Sequence, residues 1–331
     1  MSRSNSSRVD TAARASDDPP WFATLKPTRL NRLADRLIAW AIDRFAWHKI
    51  LSTENHVRLA YRLLLRRRAD PAGLKHYTEM IKSIHHPETH VFRLLVDSEE
   101  HQRSNNPLHW ARLQLIRRLP RADVVIDLGG SSRHSDHGAL YLMGYPRTRR
   151  LIIVDLPPDE RYKDYQLYRP EGERTSLEVD GGTVEYAYGS IGDLTFIEER
   201  GFADLVWSGN TIEHITEAEG DQMIAQAFRL LRPGGHLCLD TPNRRVTSKI
   251  FGEKWCSPDH QIEYRDETLR PKIERHGFVI EEALGVLDCR PILRGSPYEL
   301  ETLMRCPDTT ERIEDGFFLY YRCRKPEEAR Q

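Results

Sequence analysis

The sequence predicts an α/β protein, a doubly wound sheet of seven strands preceded by an N-terminal all-α region. Three observations carry this. Val124-Val125-Ile126 is a β-branched run that leaves through Asp127-Leu128-Gly129-Gly130-Ser131, a tight turn of small residues that lets a ligand approach the backbone. Two further apolar runs, Leu151 to Asp155 and Ala203 to Ser208, follow at intervals that leave room for crossover helices. Upstream of them, apolar residues recur at helical spacing instead.

Composition bounds the possibilities. With 331 residues, 39% of them hydrophobic, the chain can bury a sizeable core and form two domains. Its longest apolar run, Leu37 to Ile42, is far short of the ~20 residues a spanning helix needs. Residues 1–27 are polar, lack the apolar centre of a secretory signal and are expected to be disordered, so a cytoplasmic location is expected. Five cysteines without a CxxC pair suit reduced thiols and make a zinc site on them unexpected. Residues 1–70 carry 14 Lys and Arg against 7 Asp and Glu; that net +7 against −8 in the remainder suggests different partners or mutual attraction.

Residues 28–105 are expected to form a helical domain. Leu30, Leu33, Ala34, Leu37, Ile38, Ala41 and Phe45 share one face, with Trp40 and Trp47 near it and arginines opposite. The plainer reading is packing against the rest of the protein; the sharper one is a peripheral contact of the Leu30 to Trp47 helix with an anionic membrane. Three short helices follow between Asn55 and His101, broken at Asp70-Pro71-Ala72-Gly73 and reopened at Pro87. The second domain spans 106–331. A helix from Leu108 to Leu119 leads into strands at 124–128, 151–154, 183–188, 203–208, 236–241, 278–283 and 316–323, with a hairpin-type turn at Asp180-Gly181-Gly182. Helices are expected over Glu217 to Leu231, ended by Arg232-Pro233-Gly234-Gly235, and over Asp266 to His276, ended by Gly277.

The loop at Gly129 lacks the G-x-G-x-x-G of a dinucleotide site. Together with Asp155, "YGSIGDLTF", "FADLVWSGNTIEHI" and "AFRLLRPGGHLCLDTPN", in that order, it resembles the class I S-adenosylmethionine-dependent methyltransferases, with Asp127, Gly129 and Gly130 on the first motif and Ser131 and Arg133 where the family has glycines. The resemblance covers roughly residues 107–325, except 284–316, and implies a Rossmann-like sheet with S-adenosyl-L-methionine as cofactor. It implies cofactor contacts from Asp127, Gly129, Gly130 and Ser131, with Asp155 on the ribose hydroxyls, Asp193 and Ile191 near the adenine, and Asn210 beyond. Separately, "LAYRLLLRRRADPAGLKHY" with "LLVDSEEH" is similar to a short bacterial helical module of no settled activity that accompanies glycosyltransferases and methyltransferases of surface-polysaccharide pathways.

Methyl transfer is an in-line displacement at a sulfonium methyl, so positioning dominates and a poorly acidic hydroxyl also needs a base. Candidates must project from the carboxyl ends of strands. That selects Glu213, His214 and His260 as catalytic, with His260 the first choice of general base, and Asp240, Asn243 and Asp259 for the acceptor. No metal is expected: His134 and His137 beside Asp136 read as polar loop residues. The expected reaction is metal-independent O-methylation of a small-molecule or glycan acceptor. Nucleic acid is not an expected partner, because the second domain is acidic and no (Asn/Asp)-Pro-Pro-aromatic or Pro-Cys sequence is present. The alternatives are a non-catalytic scaffold built on a methyltransferase-like domain, or another class of acceptor.

Overall fold

A computed structural model describes residues 52–64, 69, 71–82, 106–132, 136–157, 176–179 and 181–327. The Leu30 to Trp47 helix, the third helix of the N-terminal region, Arg133 and His134 lie outside the described residues. Two helices of that region are described, α1 (Thr53–Leu64) and α2 (Pro71–Lys82). Val57, Ala60 and Tyr61 of α1 are buried, with Leu74 and Tyr77 of α2 packed against them and the Tyr61 and Tyr77 rings edge to face at 5.9 Å.

The main unit opens with α3 (Pro107–Ile116), capped by the Asn106 side chain on the His109 amide, and leads into β1 (Val124–Leu128). A short helix α4 (Ala139–Leu142) follows, then β2 (Arg150–Asp155), β3 (Ser176–Val179), β4 (Gly182–Tyr188) and β5 (Ala203–Gly209). Helix α5 (Glu217–Leu230) starts on a capping box between Thr216 and Glu219 and runs directly into β6 (Leu231–Pro242). The chain then forms α6 (Arg244–Phe251), α7 (Asp266–Arg275), β7 (Val279–Asp288), α8 (Arg290–Leu293), α9 (Leu300–Met304), β8 (Thr309–Thr310) and β9 (Gly316–Arg324).

The sheet has nine strands in the order β3-β4-β2-β1-β5-β6-β9-β7-β8, correcting the seven read from sequence. All seven expected strands are present. The additional β3 and β8 are short edge strands, paired antiparallel to β4 and β7. From β4 to β6 the pairing is parallel, and β9 enters antiparallel between β6 and β7. Side chains alternate between two cores. Val125, Leu151 and Ile153 join Leu108, Ala111, Leu115 and Ile116 of α3 on one face. Val124, Ile126, Leu128, Ile152 and Val154 join Met223, Ile224 and Ala227 of α5 and Leu269 and Ile273 of α7 on the other. Covering both faces is why these strands read as continuous apolar runs.

Strand order reverses between β1 and β5, which opens a crevice at their carboxyl ends. There Gly129 takes φ +72°, and a Cβ on it would lie 2.4 Å from Thr211 Cγ2. Thr211 Oγ1 in turn donates to the Leu128 carbonyl at 3.1 Å, locking the loops after β1 and β5 together. Gly129→Ala combines left-handed strain with that overlap and is expected to cost about 2–4 kcal/mol. A loss of less than about 0.5 kcal/mol in urea unfolding would show the loop to be slack.

Candidate active site

Four buried polar atoms at the crevice find no hydrogen-bond partner among the described residues: Asp127 Oδ2, Ser131 Oγ, Asn210 Oδ1 and Glu213 Oε1. Buried polar groups are ordinarily paired, so these four oxygens are left able to accept from a ligand or water. Asp127 and Ser131 lie at the end of β1, and Asn210 and Glu213 just past β5. Asn210 is held at φ +51° by its amide, which donates to the Asp240 carbonyl at 2.9 Å and to Asp240 Oδ1 at 3.0 Å. A Cβ on Gly130 would strike the Asp127 carboxylate, so that residue must stay small.

Asp155 closes β2. Its Oδ2 accepts from the Ser131 amide at 3.2 Å and its Oδ1 from the Leu156 amide at 2.8 Å, drawing the first two loops together. Beside it, Leu156 and Tyr188 are exposed apolar side chains at the ends of β2 and β4, where Asp155 and Tyr188 are register partners. Leu156 was not picked out from the sequence, because a single leucine after a strand carries no pattern. Ile191 is buried in the core with Leu194, and Asp193 Oδ1 accepts from the Thr195 amide, the Thr195 hydroxyl and Gln226. These last two therefore shape their turn chiefly by packing and self-capping.

Burial pushes the Asp127 carboxyl up to about 8, and the neighbouring Asp155 carboxylate adds to the push. The folded chain thus keeps a proton that the unfolded chain sheds near its ordinary 3.8, so stability falls as pH rises from about 4 to about 8. Asp127→Asn has no such proton to lose. It is expected to match the parent protein at pH 4 and to exceed it at pH 9 by on the order of 3–5 kcal/mol, read from urea midpoints. Equal midpoints at both pH values would refute the assignment.

A loop after α6 folds back over β5. Arg244 stacks on Trp255 at 4.5 Å and donates to the Lys254 and Gly252 carbonyls, fixing the turn after α6. The Gln261 and Ile262 amides then both donate to the Glu213 carbonyl, at 2.8 and 3.2 Å. His260 and Asp259 are thereby carried onto Glu213 and His214. Asp259 Oδ2 holds His214 Nδ1 at 3.1 Å, while Glu263 Oε1 holds His260 Nδ1 at 3.0 Å. The two imidazoles meet edge to face at 4.9 Å. Glu213 is fully buried, and its Oε2 accepts from the Thr241 hydroxyl at 2.9 Å.

Electrostatics separate these carboxyls. Burial raises Glu213 above the ordinary range, against the pull of His214 and His260. Burial also resists ionisation of Asp259, but hydrogen bonds from His214 and Ser257 outweigh it and hold that carboxyl well below the usual range. Burial likewise opposes ionisation of Glu263, where bonds from His260, Thr247 and Cys256 prevail and lower it. For His214, burial disfavours the charged ring, yet the Asp259 bond and the Glu213 charge raise its pKa overall. In the neutral ring that directs its Nδ1–H at the carboxylate, Nε2 is the nitrogen that carries the lone pair.

Four sequence-selected residues, Glu213, His214, Asp259 and His260, therefore converge. Asp240 and Asn243, expected on the acceptor, do not. Asp240 is fully buried, with its carboxylate taken by Arg112 Nε at 2.6 Å, Arg112 Nη2 at 3.2 Å and the Asn210 amide. Asn243 is buried as the cap of α6, its amide group donating to the Glu314 and Gly316 carbonyls. Glu263 was missed, although its spacing of three from His260 was the available signal. Nothing in sequence announces Arg112, which lies 128 residues from its partner.

The mixed sheet thus has its switch point between β1 and β5, an acid closing β2 and a carboxylate-anchored histidine pair past β5. Residues 137–239 match the family model described as a methyltransferase domain. A curated protein of Mycolicibacterium smegmatis, named Probable S-adenosylmethionine-dependent methyltransferase, is 31% identical over 103 residues, which is 31% of this chain and 38% of that protein. Similar solved structures include a complex of the Trm112 methyltransferase activator with a methyltransferase from Haloferax volcanii (18% identity, 70% of this chain and 96% of that one, TM-score 0.47). Another is an O-methyltransferase family protein from Burkholderia thailandensis (17% identity, 72% and 61%, TM-score 0.43). Residues 137–239 thus resemble a methyltransferase domain, and the chain spans less than half the length of the curated relative it matches. Among the described residues no helix is long and apolar enough to cross a membrane.

The cofactor's chemistry suits the crevice. Its sulfonium and ammonium are cationic, and the unpartnered atoms of Asp127, Ser131 and Asn210 are oxygens able to accept from it. Its ribose hydroxyls are donors, for which the carboxylate of Asp155 is the natural acceptor.

Proposed function

We propose that this protein transfers the methyl group of S-adenosylmethionine to a hydroxyl of a small, polar acceptor, with a carbohydrate-like molecule as the class to test first. The observation that supports it is the pair of carboxylate-anchored imidazoles beside Glu213, past the strand that flanks the cofactor crevice. Asp127, Gly129, Gly130, Ser131 and Asn210 hold the cofactor's charged end, and Asp155 its ribose, with Leu156 and Tyr188 along the base. His260 Nε2 takes the acceptor proton as the acceptor oxygen bonds to the methyl carbon. In the same in-line displacement the bound cofactor's carbon–sulfur bond would break as the carbon–oxygen bond forms, its electron pair staying on sulfur to leave S-adenosylhomocysteine. Asp259 and Glu263 orient the two rings, so Asp259 serves the acceptor through His214.

Titration of S-adenosylhomocysteine into the full chain tests the first half. Micromolar binding is expected, weakened at least 30-fold by Asp155→Ala, and absence of binding in the unaltered protein would overturn the reading. Transfer of labelled methyl to sugar hydroxyls but not to matched amines tests the second half; label on the amines would reassign the acceptor.

A further inference from the structure

We propose that Glu213, His214 and His260 hold one divalent transition cation on the acceptor side of the site. One donor atom from each lies within 4.8 Å of the other two, and two of the three residues are buried. Ligands about 2.1 Å from a common ion sit roughly 3.4 Å apart, so small side-chain movements, on the order of 1 Å, close this set around an ion.

Two independent features point to a ligand there. Glu213 is fully buried, and while its Oε2 is held by the Thr241 hydroxyl, its Oε1 finds no partner among the described residues. A buried carboxylate oxygen left bare beside two imidazoles is a coordination position. Second, each imidazole already carries the outer carboxylate that metal-bound histidines use to fix ring and tautomer: Asp259 on His214 and Glu263 on His260, both through Nδ1. The His214 side chain is 34% exposed, so the set is open on one side, as a site that must admit substrate requires.

A neighbouring trio, Cys256, His260 and Glu263, fits less well. Glu263 already accepts from the Cys256 amide, the Thr247 hydroxyl and His260 Nδ1, and all three residues are buried. Two nitrogens and one oxygen favour zinc, cobalt or manganese over magnesium or calcium, which prefer oxygen alone. This departs from the metal-free reading of the sequence, where residues 213–214 and 260 stand too far apart to suggest a ligand set. The cation's role rests on the methyl-transfer reading: bound beside the acceptor it would make the hydroxyl a stronger acid, with His260 then its ligand in place of the base and the acceptor proton passing to water on the open side of His214.

The test uses the full chain, stripped with a chelator, dialysed and titrated with cobalt(II) alone while visible absorption is followed. One equivalent is expected to bind. His214→Gln and Glu213→Gln should each weaken binding at least 100-fold, and Asp259→Asn 10- to 100-fold. His236→Gln, whose ring pairs with Glu281 on β7, should leave it unchanged. Because Glu213 is buried, retained S-adenosylhomocysteine affinity certifies each variant's fold, and the partly exposed His214 carries the test alone if Glu213→Gln does not fold. Cofactor-product binding without cobalt binding overturns the cation site and leaves the methyltransferase reading standing. Cobalt binding lost in His214→Gln, in a chain that binds no cofactor product, supports the cation site and overturns methyl transfer. Cobalt binding indifferent to His214→Gln overturns the site.

Discussion

Arg112→Ala is expected to remove about 3–5 kcal/mol of folding stability, a large share of what a domain of this kind possesses. Asp240 is fully buried, and Arg112 is itself mostly enclosed, with its guanidinium 5.7 Å from the Phe318 ring. Truncating the arginine strands a carboxylate in the core between β5 and β9, with only the Asn210 amide on one of its oxygens. The cost comes from that uncompensated charge more than from the lost attraction, so a second change should relieve it. Arg112→Leu combined with Asp240→Asn is expected to recover more than half of the loss. Urea unfolding of the parent, the single variant and the double variant decides the matter, and a single-variant loss under 1 kcal/mol would show the pair to be incidental. Because Asp240 also fixes Asn210, the single variant should weaken cofactor-product binding before it unfolds the chain.

His260→Gln is expected to reduce turnover by 10²- to 10⁴-fold while leaving S-adenosylhomocysteine affinity within about threefold. Glutamine fills much of the same space and can still meet Glu263, so the fold around Cys256 and Thr247 should persist. What disappears is a nitrogen lone pair on the acceptor side. Glu263→Gln should fall between the parent protein and His260→Gln, with turnover reduced roughly 10- to 100-fold, because the amide holds the His260 ring less firmly than the carboxylate does. Cofactor affinity falling in step with turnover in His260→Gln would move His260 out of the acceptor side altogether.

Most of the sheet was legible in the sequence because its strands are covered on both faces. Val124 to Leu128 and Leu151 to Val154 had to be apolar throughout, and such runs stand out in a chain with 30% charged residues. The two strands that escaped notice are edge strands. Ser176–Val179 buries one residue of four, and Thr309–Thr310 spans only two residues, so neither has a pattern long enough to see. Helices α6, α8 and α9 are short for the same reason of length. At the site, Glu213-His214 and Asp259-His260 were selected because both pairs follow strands, and the topology joins them since β5 and β6 are parallel neighbours. Asp240 was read as an acceptor contact because an acid at a strand's end looks the same whether its partner is a substrate or an arginine on a distant helix. Only the fold reveals which.

All five cysteines are free, and each is at most 1% exposed. They sit on β6, in the loop over the active site, at the start of α8, after α9 and on β9. Burial drives each thiol above its ordinary pKa, further suppressing the reactive thiolate. A thiol-reactive dye should therefore stay dark on the native protein and light up only where the structure opens. Cys256, under His260, would register loosening of the acceptor loop, whereas Cys238 and Cys323 would respond only when the sheet itself comes apart. The chain thus carries an intrinsic alarm, able to tell a variant with a disturbed site from one that is unravelling.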